Sequence, residues 1–380
     1  MAEDLLTMSP PSPGPEYVPP RIKQEEEDIE RIVQDDTLDE PAKIDAIAKR
    51  RNWFIGDTSV IDAFLAGDID AATAADTLAK PIDASYSSAD YGKALYEAER
   101  VARTQRGYHS AEKALKMWGP EEDIPKPSPE TSSLPTTEGQ LWALWYGILH
   151  ASKRIPWTDT VQQAKLINLV RTLKARPNPP LPEHTSIPLK RNWIWETGTL
   201  WSDLVMLGPS AGEAWNDCCG CGAGWTGPEQ AAYTNFNAFV ARLTASGTAD
   251  FAANGVGALR VALEAKAGAT ASHRKAPMEV QMSVLVTIAA VWILIAGEWM
   301  WGKRPKGEEV VPLDARVELG TRERMLPWYN RGGEAMWCTA RWRFWRERFE
   351  QEAGNEELGE EVRGLAKRAG EIIEGFLARL

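Results

Sequence analysis

Arginine and aromatic residues are interleaved in one short stretch near the C-terminus, RWRFWRERF at 341–349. An arginine presents a rigid bidentate fork to carboxylates and other anions, and an aromatic face beside it can stack on the guanidinium plane. At helical spacing, Cys338, Trp342, Trp345 and Phe349 are separated by four, three and four residues and share one face. Trp337 and Phe344 lie seven apart on another face, and Arg341 and Arg348, also seven apart, fall between the two apolar stripes. This pattern predicts a helix sandwiched between layers, with two guanidinium groups held in a partly desolvated strip. Buried charge of this kind must be paired or hydrogen-bonded. Two readings stay open. Core carboxylates such as Glu298 or Glu264 supply the partners, or Arg341 and Arg348 form an anion site with Trp328, Trp342 and Trp345 around it.

A second polar set lies on NFNAFVARLT at 235–244, where Phe236, Phe239, Val240 and Leu243 form an apolar face. Asn237 and Arg242 are candidate ligand contacts there, with Asn235 on the same side as Arg242; the alternative is a polar core network. Cys218, Cys219 and Cys221 form one tight cluster among glycines, whereas zinc is usually held by two separated pairs, so no metal site is expected and the segment reads as a flexible loop. The four histidines, at 109, 150, 184 and 273, belong to no recognised nucleophile pattern. No Gly-rich phosphate loop or dinucleotide fingerprint is present, so no cofactor is expected.

Near the N-terminus, Ile22-Lys23-Gln24-Glu25 has the apolar–Lys–any–Glu form of a sumoylation acceptor, which requires an accessible, extended lysine. Ser9-Pro10 and Ser12-Pro13 are candidate phosphorylation sites in the same tail.

These residues need elements to position them, and the signals are almost wholly helical. Residues 1–38 read as a Pro-rich and acidic tail, disordered over 1–23 and with a candidate helix start near Gln24, and the stretch 24–40 carries nine acids against Arg31 alone. Residues 39–118 form a small helical part: a helix from Asp57-Thr58 to Gly67, one ending before Pro81, and one over about 88–106. A Pro-rich linker or long loop at 119–137 leads to the main helical domain, 138–380, which is separate from 39–118 or continuous with it. Helices are expected there over 137–155 and 161–175, then near 195–206, 228–246, 249–265, 277–301, 333–352 and 355–379. GEEVVPLDARVEL at 307–319 is the one strand-like piece. The 18 uncharged residues from Val280 to Gly297 reach the lower edge of membrane-spanning length, but Gln281, Ser283, Thr287 and Glu298 favour the central helix of a bundle. The fold class is therefore all-α, a large multi-helix bundle whose 17 tryptophans build the core.

A net charge of −11 disfavours nucleic acid as a partner. The clustered cysteines and the absence of a signal-peptide pattern point to a reducing compartment, cytoplasm or nucleus.

The chain also resembles a fungal family known only as domain of unknown function 3632. NFNAFVARLT, Trp292-Ile293 with Ala296-Gly297, PWYNRGG at 327–333 and above all RWRFWRERF carry the resemblance, and FLAGDIDAATAADTLAKPI at 64–82 is similar to its N-terminal part. The sequence departs from the family's Gly-Pro-Leu-Trp-like segment, with GGEAMW at 332–337. The resemblance implies a helical fold and a fungal source, and it brings no activity, cofactor or catalytic residue. Two functions are expected on this basis. One is a helical interaction or regulatory protein that binds a partner chain. The other is a small-molecule binder or enzyme using the Arg/Trp pocket.

Overall fold

A computed structural model describes residues 19–88, 105–120, 137–180, 199–264, 274, 276–304 and 337–380. Thirteen α-helices run through these residues. In chain order they are α1 (Pro20–Gln34), α2 (Glu40–Arg51), α3 (Ser59–Ala66), α4 (Ala71–Ser88), α5 (Ala111–Trp118) and α6 (Thr137–Arg154). There follow α7 (Thr160–Lys174), α8 (Leu207–Ala214), α9 (Gly227–Ala245), α10 (Ala252–Leu263), α11 (Met278–Gly302), α12 (Thr339–Ala353) and α13 (Glu360–Leu377). Among the described residues the only β pairing is an isolated bridge between Cys219 and Ala223.

Local chemistry starts and stops these helices. Asp39 accepts the Ala42 N–H at 2.9 Å to cap α2, and Asn52, in the left-handed conformation, ends it. Thr226 and Glu229 close a capping box at the start of α9. The centre of the bundle is α11, packed against α9, α10 and α13. Val286, Ala289, Ala290 and Trp292 are fully enclosed there, and 61 % of the helix's most apolar 18-residue window is buried. Length and composition alone would let α11 cross a membrane, but α9, α10 and α13 cover most of its apolar surface.

Ile61 and Phe64 of α3 and Ala79, Ile82 and Tyr86 of α4 lie in the same continuous core as Trp145, Phe239, Trp292 and Trp345. Residues 59–88 therefore pack directly on the main body. A second, smaller apolar cluster joins Ile29 of α1, Ile44 and Ile47 of α2, Trp53, Ala223 and Ala232.

Several expectations change. The tail boundary at 38 moves towards the N-terminus, because Pro20–Gln34 is helical and lays Ile29 against α2. Pro81 lies inside α4 rather than ending it, since Ile82 and Tyr86 beyond it are buried and their packing offsets the lost backbone bond. No helix forms over 199–206: Leu204 and Met206 both adopt positive φ, and the segment turns so that Leu200, Trp201 and Leu204 all reach the core. Most of the helix expected at 88–106, and all of the strand-like 307–319, lie outside the described residues.

Candidate functional site

The arginine–tryptophan motif forms α12, and its apolar face is buried as its spacing requires: Trp342, Trp345 and Phe349 are fully enclosed. Trp342 meets Trp301 of α11 edge to face, with centroids 5.2 Å apart, and Phe376 of α13 at 5.8 Å. Trp301 and Phe376 stack on each other at 5.6 Å. One aromatic knot thus ties α11, α12 and α13 together.

Arg341 is buried and pairs with Glu264, with Nε 2.9 Å from Oε1 and Nη2 donating to Oε2 at 3.2 Å. The Trp345 indole donates to the same carboxylate at 2.8 Å. Glu264 is the residue that ends α10, and Arg348 Nε donates to the adjacent Leu263 carbonyl at 3.1 Å. The remaining guanidinium nitrogens of Arg348 bond Gln351 and Glu352 of its own helix, at 2.5 and 3.0 Å. Two cations thus converge on the C-terminal end of α10, where the helix dipole is negative and the last carbonyls lack partners within the helix. Glu298, the other carboxylate considered, binds Arg379 instead, at 2.7 Å.

The remaining sequence candidates fall elsewhere. Asn237 accepts the buried Trp292 indole N–H at 3.0 Å and donates to the Tyr233 carbonyl at 2.9 Å. Arg242 donates to the Trp157 carbonyl at 2.7 Å, while Asn235 accepts the Trp157 N–H at 2.7 Å, so one face of α9 clasps both backbone groups of Trp157. Burial pulls the Arg242 pKa below its ordinary value. Arg341, Trp342, Trp345 and Arg348 are brought together, and Asn237 and Arg242 each serve a different neighbour. Lys23 is exposed but lies on helical α1, within 3.9 Å of Glu27, and not on the extended backbone expected for an acceptor lysine. Trp328, Ser9 and Ser12 lie outside the described residues.

Three clusters escaped sequence reading. Arg51 is wholly buried and donates to Glu229 at 2.8 Å, Glu25 at 2.6 Å and Glu26 at 2.5 Å. Arg274 pairs with the same Glu25 and, at 3.0 Å, with Glu26, while Asp28 takes Arg50 at 2.7 Å. Of the nine acids in the stretch expected to be solvated, Glu25, Glu26 and Asp28 are instead bonded to Arg50, Arg51 and Arg274, while Glu27, Glu30, Asp36, Asp39 and Glu40 are exposed. Burial raises the Glu25 pKa, but the bonds from Arg51 and Arg274 outweigh it and hold the carboxyl below its usual range.

On α6, Lys153 Nζ bonds Asp217 at 2.6 Å and sits 4.6 Å over the Trp53 ring, and His150 bonds Asp45 at 2.7 Å. Burial pushes Lys153 and His150 down and Asp217 up.

The third cluster is at the surface. Phe54 stacks on Tyr146 at 4.6 Å, and Trp142 stacks on Tyr146 at 5.1 Å. Glycines bring the two segments together. A Cβ at Gly56, whose φ is +67°, would lie 2.4 Å from the Gly147 N and the Ala143 carbonyl, and one at Gly147 would lie 2.6 Å from the Asp57 carbonyl. Only two chains without side chains there approach this closely, and the approach sets Phe54 on Tyr146. Burial, then Glu213 and Asp217, push the Tyr146 hydroxyl up to about 12, and Glu138 accepts the Trp142 indole at 3.3 Å. The aromatic strip therefore has an acidic edge.

Separately, a cleft of about 430 Å³ opens between α9, α10 and α11, lined by Trp215, Tyr233, Val256, Gly257, Leu285 and Ile288.

An all-helical bundle tied at its C-terminal end by an Arg–Trp helix is the class these features define. The family model for Protein of unknown function (DUF3632) matches residues 145–349, more than half of the chain, and the chain belongs to that family. The match begins at Trp145, so the similarity noted at 64–82 lies outside it, and it ends with the motif at Phe349. No curated protein and no solved structure matches the chain.

Proposed function

We propose that the chain is a helical interaction or regulatory protein that docks a partner polypeptide on the strip formed by Phe54, Tyr146 and Trp142. The stacked rings carry the reading: Phe54 is 47 % exposed and stacks on half-buried Tyr146, which stacks on half-buried Trp142 at the edge of the core. Tyrosine and tryptophan anchor protein interfaces, since they bring large contact area at low conformational cost. Glu138 and Glu213 near the rings favour a segment offering basic as well as apolar side chains, with cation–π contact to the ring faces. The net charge of −11 supports the same complementarity and argues against nucleic acid. The proposed setting is cytoplasm or nucleus, with no membrane span, because α11 is packed inside the bundle.

Native mass spectrometry of gently purified protein tests this. A stoichiometric protein partner that is retained by the native chain and lost from Phe54→Ala/Trp142→Ala, at an unchanged denaturation midpoint, is the expected result. A partner retained by that variant overturns the docking site.

The cleft of about 430 Å³ favours a second reading, a small-molecule binder, because its volume falls in the range of ligand pockets and Trp215, Val256, Leu285 and Ile288 give it apolar walls. A non-covalent mass of a few hundred daltons, indifferent to Phe54→Ala and lost in Gly257→Trp, would establish it in place of the first.

A further inference from the structure

The cysteine cluster is an ordered turn rather than the flexible loop its glycines suggest. The Cys221 N–H donates to the Cys218 carbonyl at 3.0 Å, Ala223 N–H to the same carbonyl at 3.1 Å, and Gly222 N–H to the Asn216 carbonyl at 2.8 Å. Gly220 takes φ +80°, and a Cβ at Gly222 would lie 2.4 Å from the Asn216 oxygen, so both glycines are required by the turn. Other elements hold it in place: the Trp53 indole donates to the Gly222 carbonyl at 3.0 Å, and Arg274 to the Cys221 carbonyl at 2.9 Å.

Within this turn the three cysteines are not equivalent. Cys219 is buried in the main core, Cys218 is half-buried, and Cys221 is exposed. Cys218 and Cys221 are the first and last residues of the turn that the Cys221 N–H closes on the Cys218 carbonyl. A hydrogen-bonded four-residue turn places its first and last Cα within 7 Å, inside the range a disulfide spans.

We propose that Cys218 and Cys221 are a reversible dithiol–disulfide pair that exchanges with a small-molecule disulfide. The exposed Cys221 thiolate attacks one sulfur of the small disulfide, forms a mixed disulfide and releases one thiolate. Cys218 then gives its proton to solvent and attacks the Cys221 sulfur, breaking the mixed disulfide and releasing the second thiolate. Two protein thiols are oxidised and one external disulfide is reduced. Burial, reinforced by the neighbouring Cys221, raises the Cys218 thiol to about 12, which leaves the first attack to the exposed Cys221. The pairing is independent of the docking reading above.

Oxidised glutathione added to the full-length native protein tests it. The expected result is that the thiols titratable after denaturation fall from four to two, that peptide mapping links 218 to 221, and that dithiothreitol restores all four. Cys218→Ser is expected to trap glutathione on Cys221, while Cys219→Ser and Cys338→Ala leave the linkage intact. A stable glutathione adduct on Cys221 of the unaltered chain, a bond that includes Cys219 or Cys338, or no loss of thiols at all would each overturn the pairing.

Discussion

Arg51 and Arg341 are both buried and both bonded to glutamate, yet they sit in very different surroundings. Among the described residues Arg341 pairs with the carboxylate of Glu264, shared with the Trp345 indole, and it lies beside a knot of Trp301, Trp342, Trp345 and Phe376. Apolar contact dominates there, and the charges close one helix end. Arg51 has three carboxylates from two elements, and the apolar cluster beside it is small: Ile29, Ile44, Ile47 and Trp53 with a few alanines. There, charge network and apolar contact are comparable, and the network is what fixes α1 on the body. A buried ion pair roughly offsets its own desolvation, so removing one partner costs far more than the pair contributes.

Substitutions can break this contrast. The largest effect is expected at Trp342→Ala, where loss of a fully buried indole at the junction of three helices costs about 3–5 kcal/mol of global stability. Urea denaturation checks it, and a cost below about 1 kcal/mol would show that the knot does not carry the C-terminal end.

Arg51→Met comes next, at about 3 kcal/mol, because Glu229 is left buried without a cation and Glu25 keeps only Arg274. Its signature is local, with hydrogen exchange speeding up across 20–34 and 40–51 before it does in α11. Uniform loss of protection would erase the distinction between the two regions.

Arg341→Met should cost less, about 2 kcal/mol, since Glu264 keeps the Trp345 indole bond. Adding Glu264→Gln should recover about half of that, a recovery read in a double-mutant cycle. Arg348→Ala, whose guanidinium is partly exposed and caps a single carbonyl, should cost about 1 kcal/mol or less.

Acid sharpens the comparison without substitution. Glu25 has a depressed folded pKa, so its contribution is fully present above the unfolded value of 4.5 and is lost as pH falls through the folded one. Protection of α1 against exchange, corrected for the intrinsic rate, should therefore fall in acid before that of α11. His150 adds a milder term at higher pH. Burial, opposed by the bond to Asp45, holds it below its usual 6.5, so its contribution is complete above that value and declines as pH falls.

Sequence reading succeeded where burial repeats with the helical period. Trp342, Trp345 and Phe349 were placed on one face by spacing alone, and all three are buried. Glu264 was one of two carboxylates named for the arginines, but spacing could not separate it from Glu298, which lies near Arg379. The acids of α1 read as solvated because their partners are remote: Arg51 is 26 residues from Glu25, and Arg274 is 249 residues from it. The aromatic strip was equally hidden, since Phe54 reaches Tyr146 only where Gly56 and Gly147 let two distant segments touch. In the cysteine turn, the glycines that suggested flexibility instead permit a tight hydrogen-bonded geometry.

By itself the sequence determined the helical class, the apolar faces and the family, because these follow from local propensity, from a 3.6-residue period and from a short motif read in place. Only the tertiary structure decided which glutamate each arginine takes, which aromatics remain at the surface and which cysteines are buried. Those outcomes depend on long-range packing, where a shift of one helical turn exchanges every partner.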